Sequence, residues 1–223
     1  MSDRDVGRFD RWSSTYDDNW LQPRFFEPVR GATLDLAARV APHPRRVLDV
    51  GCGTGALLRK AAERFDGAEL VGVDAAPGMV EAAGEAWPSE GPARFVVAPA
   101  ERLPFEDGGF DLVMSTVSFH HWRDQQAGLR EVGRVLAPGG CLVLSDIFAV
   151  SWLRVWFAAF GYRHRFHTRP ESSSMLRTSG LTPGDFEPAF AALGRPLVRS
   201  IWAKRQHPEV TQSETSKEET RET

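Results

Sequence analysis

Residues 47–55 read VLDVGCGTG, a short apolar run entering three glycines at alternating positions. Glycine lets a chain turn sharply and lets a ligand touch the backbone with no Cβ in the way. A helix beginning near Gly55 would aim its free N–H groups at that ligand. Gly51, Gly53 and Ala56 satisfy the dinucleotide spacing G-x-G-x-x-G/A, and Asp74 lies about where a ribose-binding acid belongs. On the glycines alone, a dinucleotide and S-adenosylmethionine are not separated. Asp49, two residues before Gly51, is a poor neighbour for a pyrophosphate because like charges repel, and it suits a ligand carrying an ammonium group. Gly55 is a glycine that the dinucleotide pattern does not need. A second chemical group is His120-His121-Trp122. Histidine accepts a proton near neutral pH, so His120 is the candidate base and His121 the fallback. The bland alternative is a histidine that only hydrogen-bonds its own loop.

The elements around these residues alternate. RVLDV, AELVGVD, ARFVVA, FDLVMST and CLVLSDI read as five strands. Helical patterns separate them: GALLRKAAERF, PGMVEAAGEAW with Pro77 at its start, and DQQAGLREVGRVLAPGG, expected to stop at Pro138-Gly139-Gly140. Strict alternation predicts an α/β fold, a Rossmann-like doubly wound sheet with every strand's carboxyl end on one ligand-binding edge. The glycines lie on that edge, and the His120 loop follows the fourth strand. DFEPAFAAL and LVRSIWAKR predict a C-terminal antiparallel hairpin, so the sheet is mostly parallel. SSSMLRTSGL predicts a short helix stopped by Gly180. Residues 1–45 are helical and aromatic and predict a cap over the ligand edge; helices covering one sheet face are an equal alternative. Residues 46–206 form the main domain, and 207–223 a disordered acidic tail.

Composition bounds the function. The chain has 223 residues, 42% hydrophobic, enough for a single core with a modest cap. Its formal charge of -3 equals that of residues 208–223, where five Glu face Lys217 and Arg221. The neutral body carries no electrostatic footprint for nucleic acid. No apolar run is long enough to span a bilayer, and MSDRDVGRFD lacks the apolar core of a signal peptide, so a cytoplasmic protein is expected. Cys52 and Cys141 read as small buried residues. There is no G-x-S-x-G elbow, and no His/Cys/Asp cluster has metal-ligand spacing.

Four segments in order, VLDVGCGTG, VGVDAAPGMVEAA, PAERLPFEDGGFDLVMSTVSFHHW and EVGRVLAPGGCLVLSD, resemble class I S-adenosylmethionine-dependent methyltransferases. The similarity is strongest to the small-molecule group that includes ubiquinone/menaquinone-biosynthesis enzymes, and it covers residues 46–147. It implies S-adenosylmethionine as cofactor. Asp49 and the backbone of Gly51 and Gly53 would meet its methionine end, and Asp74 its ribose hydroxyls. Ala75, Met79, the backbone of Ala100, and Leu103 would pack around the adenine. Relatives often carry Asp where this chain has Pro99; either Glu101 substitutes for it or the adenine contact is absent. In some relatives a cap tyrosine reaches a histidine of the strand-four loop, which would pair Tyr16 with His120. Met79 and Leu103 also suit plain core positions, and Asp74 an ordinary helix cap.

Methyl transfer asks a protein to align a nucleophile with the methyl group and to exclude water. The expected reaction is direct in-line transfer to a small-molecule acceptor, without metal. Phe25, Phe26, Trp152, Trp156, Phe157 and Phe160 are expected to flank the acceptor, which predicts an apolar or aromatic one. Arg163, His164, Arg165, His167 and Arg169 form a basic patch suited to an acidic acceptor or to a solvated helix end. The alternatives are an NAD(P)-dependent oxidoreductase and a catalytically silent S-adenosylmethionine-binding protein. The oligomeric state is not legible.

Overall fold

A computed structural model describes residues 22–88, 93–148, 166–192 and 195–206, together with Gly7 and Gly91. Seven strands form one sheet: β1 Arg46–Val50, β2 Glu69–Asp74, β3 Ala93–Val97, β4 Phe110–Thr116, β5 Leu136–Asp146, β6 Leu181–Ala192 and β7 Arg195–Arg205. Their order is β3-β2-β1-β4-β5-β7-β6. The first five are parallel, whereas β7 runs antiparallel to both β5 and β6. The expected doubly wound sheet with an antiparallel terminal hairpin is the fold observed. A π-helical turn, Gln22–Phe26, leads into α1, Glu27–Val40. Then come α2 Ala56–Arg64, α3 Pro77–Ala86, α4 Gln125–Val135 and α5 Arg169–Thr178.

The period of two in the strands divides the core in two. Leu48, Val50, Val113, Leu142 and Leu144 face one side, under Leu129 and Val132 of α4 and Leu176 of α5. Val47, Leu112, Met114, Cys141 and Val143 face the other, under Leu34, Leu36 and Ala37 of α1 and Leu57, Leu58 and Ala61 of α2. Apolar residues on both faces are what a covered parallel sheet requires. Each fully buried leucine contributes roughly 1.5–3 kcal/mol, so the central strands form a stiff frame for what stands at their ends. α4 is capped by Asp124, whose carboxylate accepts from Ala127 N. α5 starts with a capping box between Thr168 and Glu171.

Two elements depart from expectation. α4 ends at Val135, and β5 already begins at Leu136, ahead of Pro138-Gly139-Gly140. Leu136 pairs with Phe110, and Cys141 pairs with Leu112, so the intervening residues are absorbed as a bulge. Cross-strand pairing thus overrides the local stop signal. α1 lies along one sheet face, the arrangement weighed equally with a cap, and there Thr33 Oγ1 donates to Ser145 Oγ of β5 (2.7 Å). β6 starts earlier than expected and holds Pro183 and Pro188. Both are tolerated because it is an edge strand with register shifts.

Candidate active site

β1 delivers Asp49 and then the glycines. Asp49 is 2% exposed, with Gly72 of β2 and Met114 of β4 as its cross-strand neighbours. Its Oδ1 is buried without a hydrogen-bond partner. Burial first, and the nearby Asp74 charge second, push its pKa up to about 8, against the opposing pull of Arg30. A buried carboxyl group with an unmet oxygen beside an open loop is a site for a cation. The residues therefore fit a ligand carrying an ammonium group.

Gly51 has φ +77°. A Cβ there would fall 1.7 Å from Ser118 Oγ, so the glycine loop and the loop after β4 interlock at this point. Gly53 has φ +52° and nothing within 4 Å of a built Cβ, which leaves its backbone open to a ligand. Gly55, also left-handed, is the N-cap of α2. Asp74, at the end of β2, accepts from Gly53 N through Oδ2 (3.0 Å) and from Ala76 N through Oδ1 (2.9 Å). These bonds fix the carboxylate at the end of β2. Ala98 N donates to Asp74 O (2.9 Å), which brings the Pro99-Ala100 segment to the end of β2. Ala75 is half-buried; Met79, Ala100 and Leu103 are buried. Leu103 is tied down by α4, its N donating to Glu131 Oε2 and its O accepting from Arg134 (both 2.9 Å). Glu101 makes a structural contact that its sequence position did not announce. Its Oε1 accepts from the backbone of Arg123 (2.5 Å) and Asp124 (3.0 Å), so it holds the turn into α4.

The loop after β4 begins with Val117, the sole non-glycine residue at positive φ (52°) among those described. A β-branched residue is costly there. Its N–H still donates to Ser145 O (2.8 Å), and the turn that follows places Ser118 and His120. His120 stands in a short 3-10 turn, Phe119–His121. Its Nδ1 lies 2.7 Å from Asp146 Oδ1, and its backbone N donates to Oδ2 (3.0 Å). Burial pushes the Asp146 pKa up, but the His120 charge, the hydrogen bond from its ring, and the N–H groups of Ile147 and His120 outweigh it. The net result lies below the ordinary carboxylate range. An ionised Asp146 only accepts, so Nδ1 carries the hydrogen and Nε2 keeps its lone pair for a proton. The Phe166 ring stacks on the imidazole at 5.4 Å and 22°.

His120 is thus brought into a dyad with Asp146, a candidate site residue that sequence reasoning missed. Its signal was faint: one acid at the carboxyl end of an apolar strand, on the ligand edge. Cys52 is no nucleophile, because burial and then the charges of Asp49 and Asp74 push its thiol well up. Phe25 packs edge-to-face on Phe26 (5.0 Å) and on Phe190 of β6 (5.1 Å). Tyr16, Trp152, Trp156, Phe157, Phe160, Arg163, His164, Arg165 and the tail lie outside the described residues.

Residues 48–144 match the family model described as a methyltransferase domain. The demethylmenaquinone methyltransferase of Thermus thermophilus is 44% identical over 118 residues, covering 52% of this chain and 53% of that protein. The malonyl-[acyl-carrier protein] O-methyltransferase of Dechloromonas aromatica is 31% identical over 199 residues, covering 86% of this chain and 71% of that protein. The chain spans about half the length of several curated relatives it matches. Among solved structures, an S-adenosylmethionine-dependent methyltransferase from Mesorhizobium loti superposes with a TM-score of 0.63 at 23% identity. That match covers 78% of this chain and 98% of the other. The [4+2]-cyclase SpnF reaches the same TM-score of 0.63 at 20% identity, covering 78% and 79%, so the shared fold does not by itself carry the reaction.

Proposed function

Because this chain belongs to the S-adenosylmethionine-dependent methyltransferases, we propose that it transfers a methyl group to a small-molecule acceptor with His120 as base. The observation that carries this reading is the shared strand edge: a cation-seeking Asp49 at the end of β1 and an Asp146–His120 dyad at the end of β5.

Asp49 and the backbone of Gly51 and Gly53 hold the methionine end of the cofactor, and Asp74 its ribose. Ala75, Met79, Ala100 and Leu103 pack beside the adenine. S-adenosylmethionine supplies an electrophilic methyl group on a sulfonium. The protein's own part is to orient the acceptor, exclude water and take a proton. His120 Nε2 accepts that proton from the acceptor's O–H or activated C–H, and Asp146 stabilises the imidazolium that forms. Phe166, stacked on the ring, keeps water from it. The aromatic residues near this edge favour an apolar or aromatic acceptor. The two curated relatives differ in acceptor, one named for demethylmenaquinone and the other for a malonyl thioester carrier.

The test is thermal unfolding with S-adenosylmethionine, S-adenosylhomocysteine or NADH in excess, followed by an acceptor screen for S-adenosylhomocysteine release. A ligand bound only by the folded state adds about 2.7 kcal/mol at a hundredfold excess over its Kd. A midpoint raised by the first two alone is expected; one raised by NADH alone would replace methyl transfer by hydride transfer. Binding without turnover on any acceptor would favour a silent cofactor-binding protein.

A further inference from the structure

We propose that Arg169 and Arg199 form a recognition site for an anionic group, carboxylate or phosphate, carried by the methyl acceptor; this rests on the methyltransferase reading. Arg199 is the cross-strand partner of Asp146 in the β5–β7 ladder. Opposed residues of an antiparallel pair point to the same face. Ile201 and Ala203, two and four residues further on, lie in the core that holds Leu142 and Leu144. Arg199 therefore stands beside the dyad, one strand over.

Asp146 does not neutralise it. Oδ1 of Asp146 is taken by His120 Nδ1 and Ile147 N, and Oδ2 by His120 N. Among the described residues, no ion pair of Arg169 or Arg199 is found. Burial and then the charge of Arg169 push the pKa of the half-buried Arg199 guanidinium down. Arg169 lies over the Phe186 ring (5.1 Å), and Phe186 packs edge-to-face on Phe148, two residues past Asp146.

Arg169, Ser173, Arg177 and Phe186 line an open groove of about 590 Å³, with Asp185 the one carboxylate of its lining. Glu187 is occupied by Arg39, and Glu171 by the capping box. Helix electrostatics do not account for Arg169. It is the first residue of α5, the end where the macrodipole disfavours a cation. Two guanidiniums near a base, with no ion pair to an acid among the described residues, are suited to an anion that arrives with the ligand. Arg177, two turns along the helix and roughly 12 Å away, extends the positive rim.

The experiment titrates the full chain with inorganic phosphate and with succinate by calorimetry, at ionic strength held constant with chloride. It is run both free and loaded with S-adenosylhomocysteine. Saturable binding is expected, weakened about tenfold or more in Arg169→Gln and Arg199→Gln, retained in Arg199→Lys, and unchanged in Arg64→Gln on the exposed end of α2. Binding of phosphate alone would specify a phosphate ester, and of succinate alone a carboxylate. Absence of saturable binding, or equal loss in Arg64→Gln, overturns the proposal. The unfolding-midpoint rise with S-adenosylhomocysteine, measured on every variant, reports folding and cofactor binding separately. Its loss in the wild type would defeat the methyltransferase reading, while the titration of the free chain still decides the anion site.

Discussion

Asp49→Asn should make the ligand-free protein more stable at neutral and alkaline pH while abolishing cofactor binding. The Asp49 pKa rises from 3.8 in the unfolded reference to about 8 in the fold, by burial first and the Asp74 charge second. The fold therefore keeps a proton that the unfolded chain releases. The associated stability is complete below the unfolded value, declines as pH rises, and is gone above the folded one. At about 1.4 kcal/mol per unit, the wild type loses on the order of 4 kcal/mol between pH 3.8 and neutrality. The loss approaches roughly 6 kcal/mol by about pH 9. Asparagine has no proton to release and should show no such decline. Urea unfolding of both proteins across this range measures the difference as a gap that widens with pH. S-adenosylhomocysteine should raise the midpoint of the wild type and leave the asparagine variant unmoved. Below the folded value, cofactor binding should also release close to one proton, read as a dependence of the calorimetric enthalpy on buffer. Parallel pH profiles for the two proteins would refute the reasoning, since Asp49 would then be ionised and satisfied in the ligand-free fold.

Asp146→Asn removes the charge that holds the His120 tautomer and stabilises its imidazolium, and replaces one accepting oxygen by an NH2 donor; with an O–H or C–H acceptor it should lower kcat by roughly 10²–10⁴-fold. An unchanged kcat and pH profile would reduce the dyad to a structural hydrogen bond. Gly51→Ala combines a left-handed backbone, which costs about 1–2 kcal/mol, with a Cβ driven into Ser118. Ser118→Gly should restore only the steric part, so a double-mutant cycle measured by urea unfolding should show positive coupling. Val117→Gly trades the same left-handed cost for about 0.5–1 kcal/mol of glycine entropy, leaving stability within about 1 kcal/mol of wild type. If kcat also stays unchanged, the strained turn has no part in placing His120.

The local wording of the site is legible in the chain alone. The three glycines, the acid before them and the acid ending the second strand stand where the pattern put them, because turn geometry and strand periodicity act over a few residues. The alternation of periods two and 3.6 likewise announced five parallel strands and a terminal hairpin. What needed the tertiary structure is every feature whose partner is distant in the chain. Leu136 leaves a helical pattern for a strand because Phe110 pairs with it. α1 has an apolar face, but only the exposed sheet surface with the Ser145 hydroxyl decides where that face lies. That Glu101 holds the turn at Arg123 and Asp124, 22 and 23 residues on, is also visible only in the fold. Asp146 becomes the partner of His120 26 residues away, and Arg199 the neighbour of both, because β5 packs between β4 and β7. Such pairings depend on which buried groups are left to satisfy one another once the sheet has closed, a condition that no local spacing encodes.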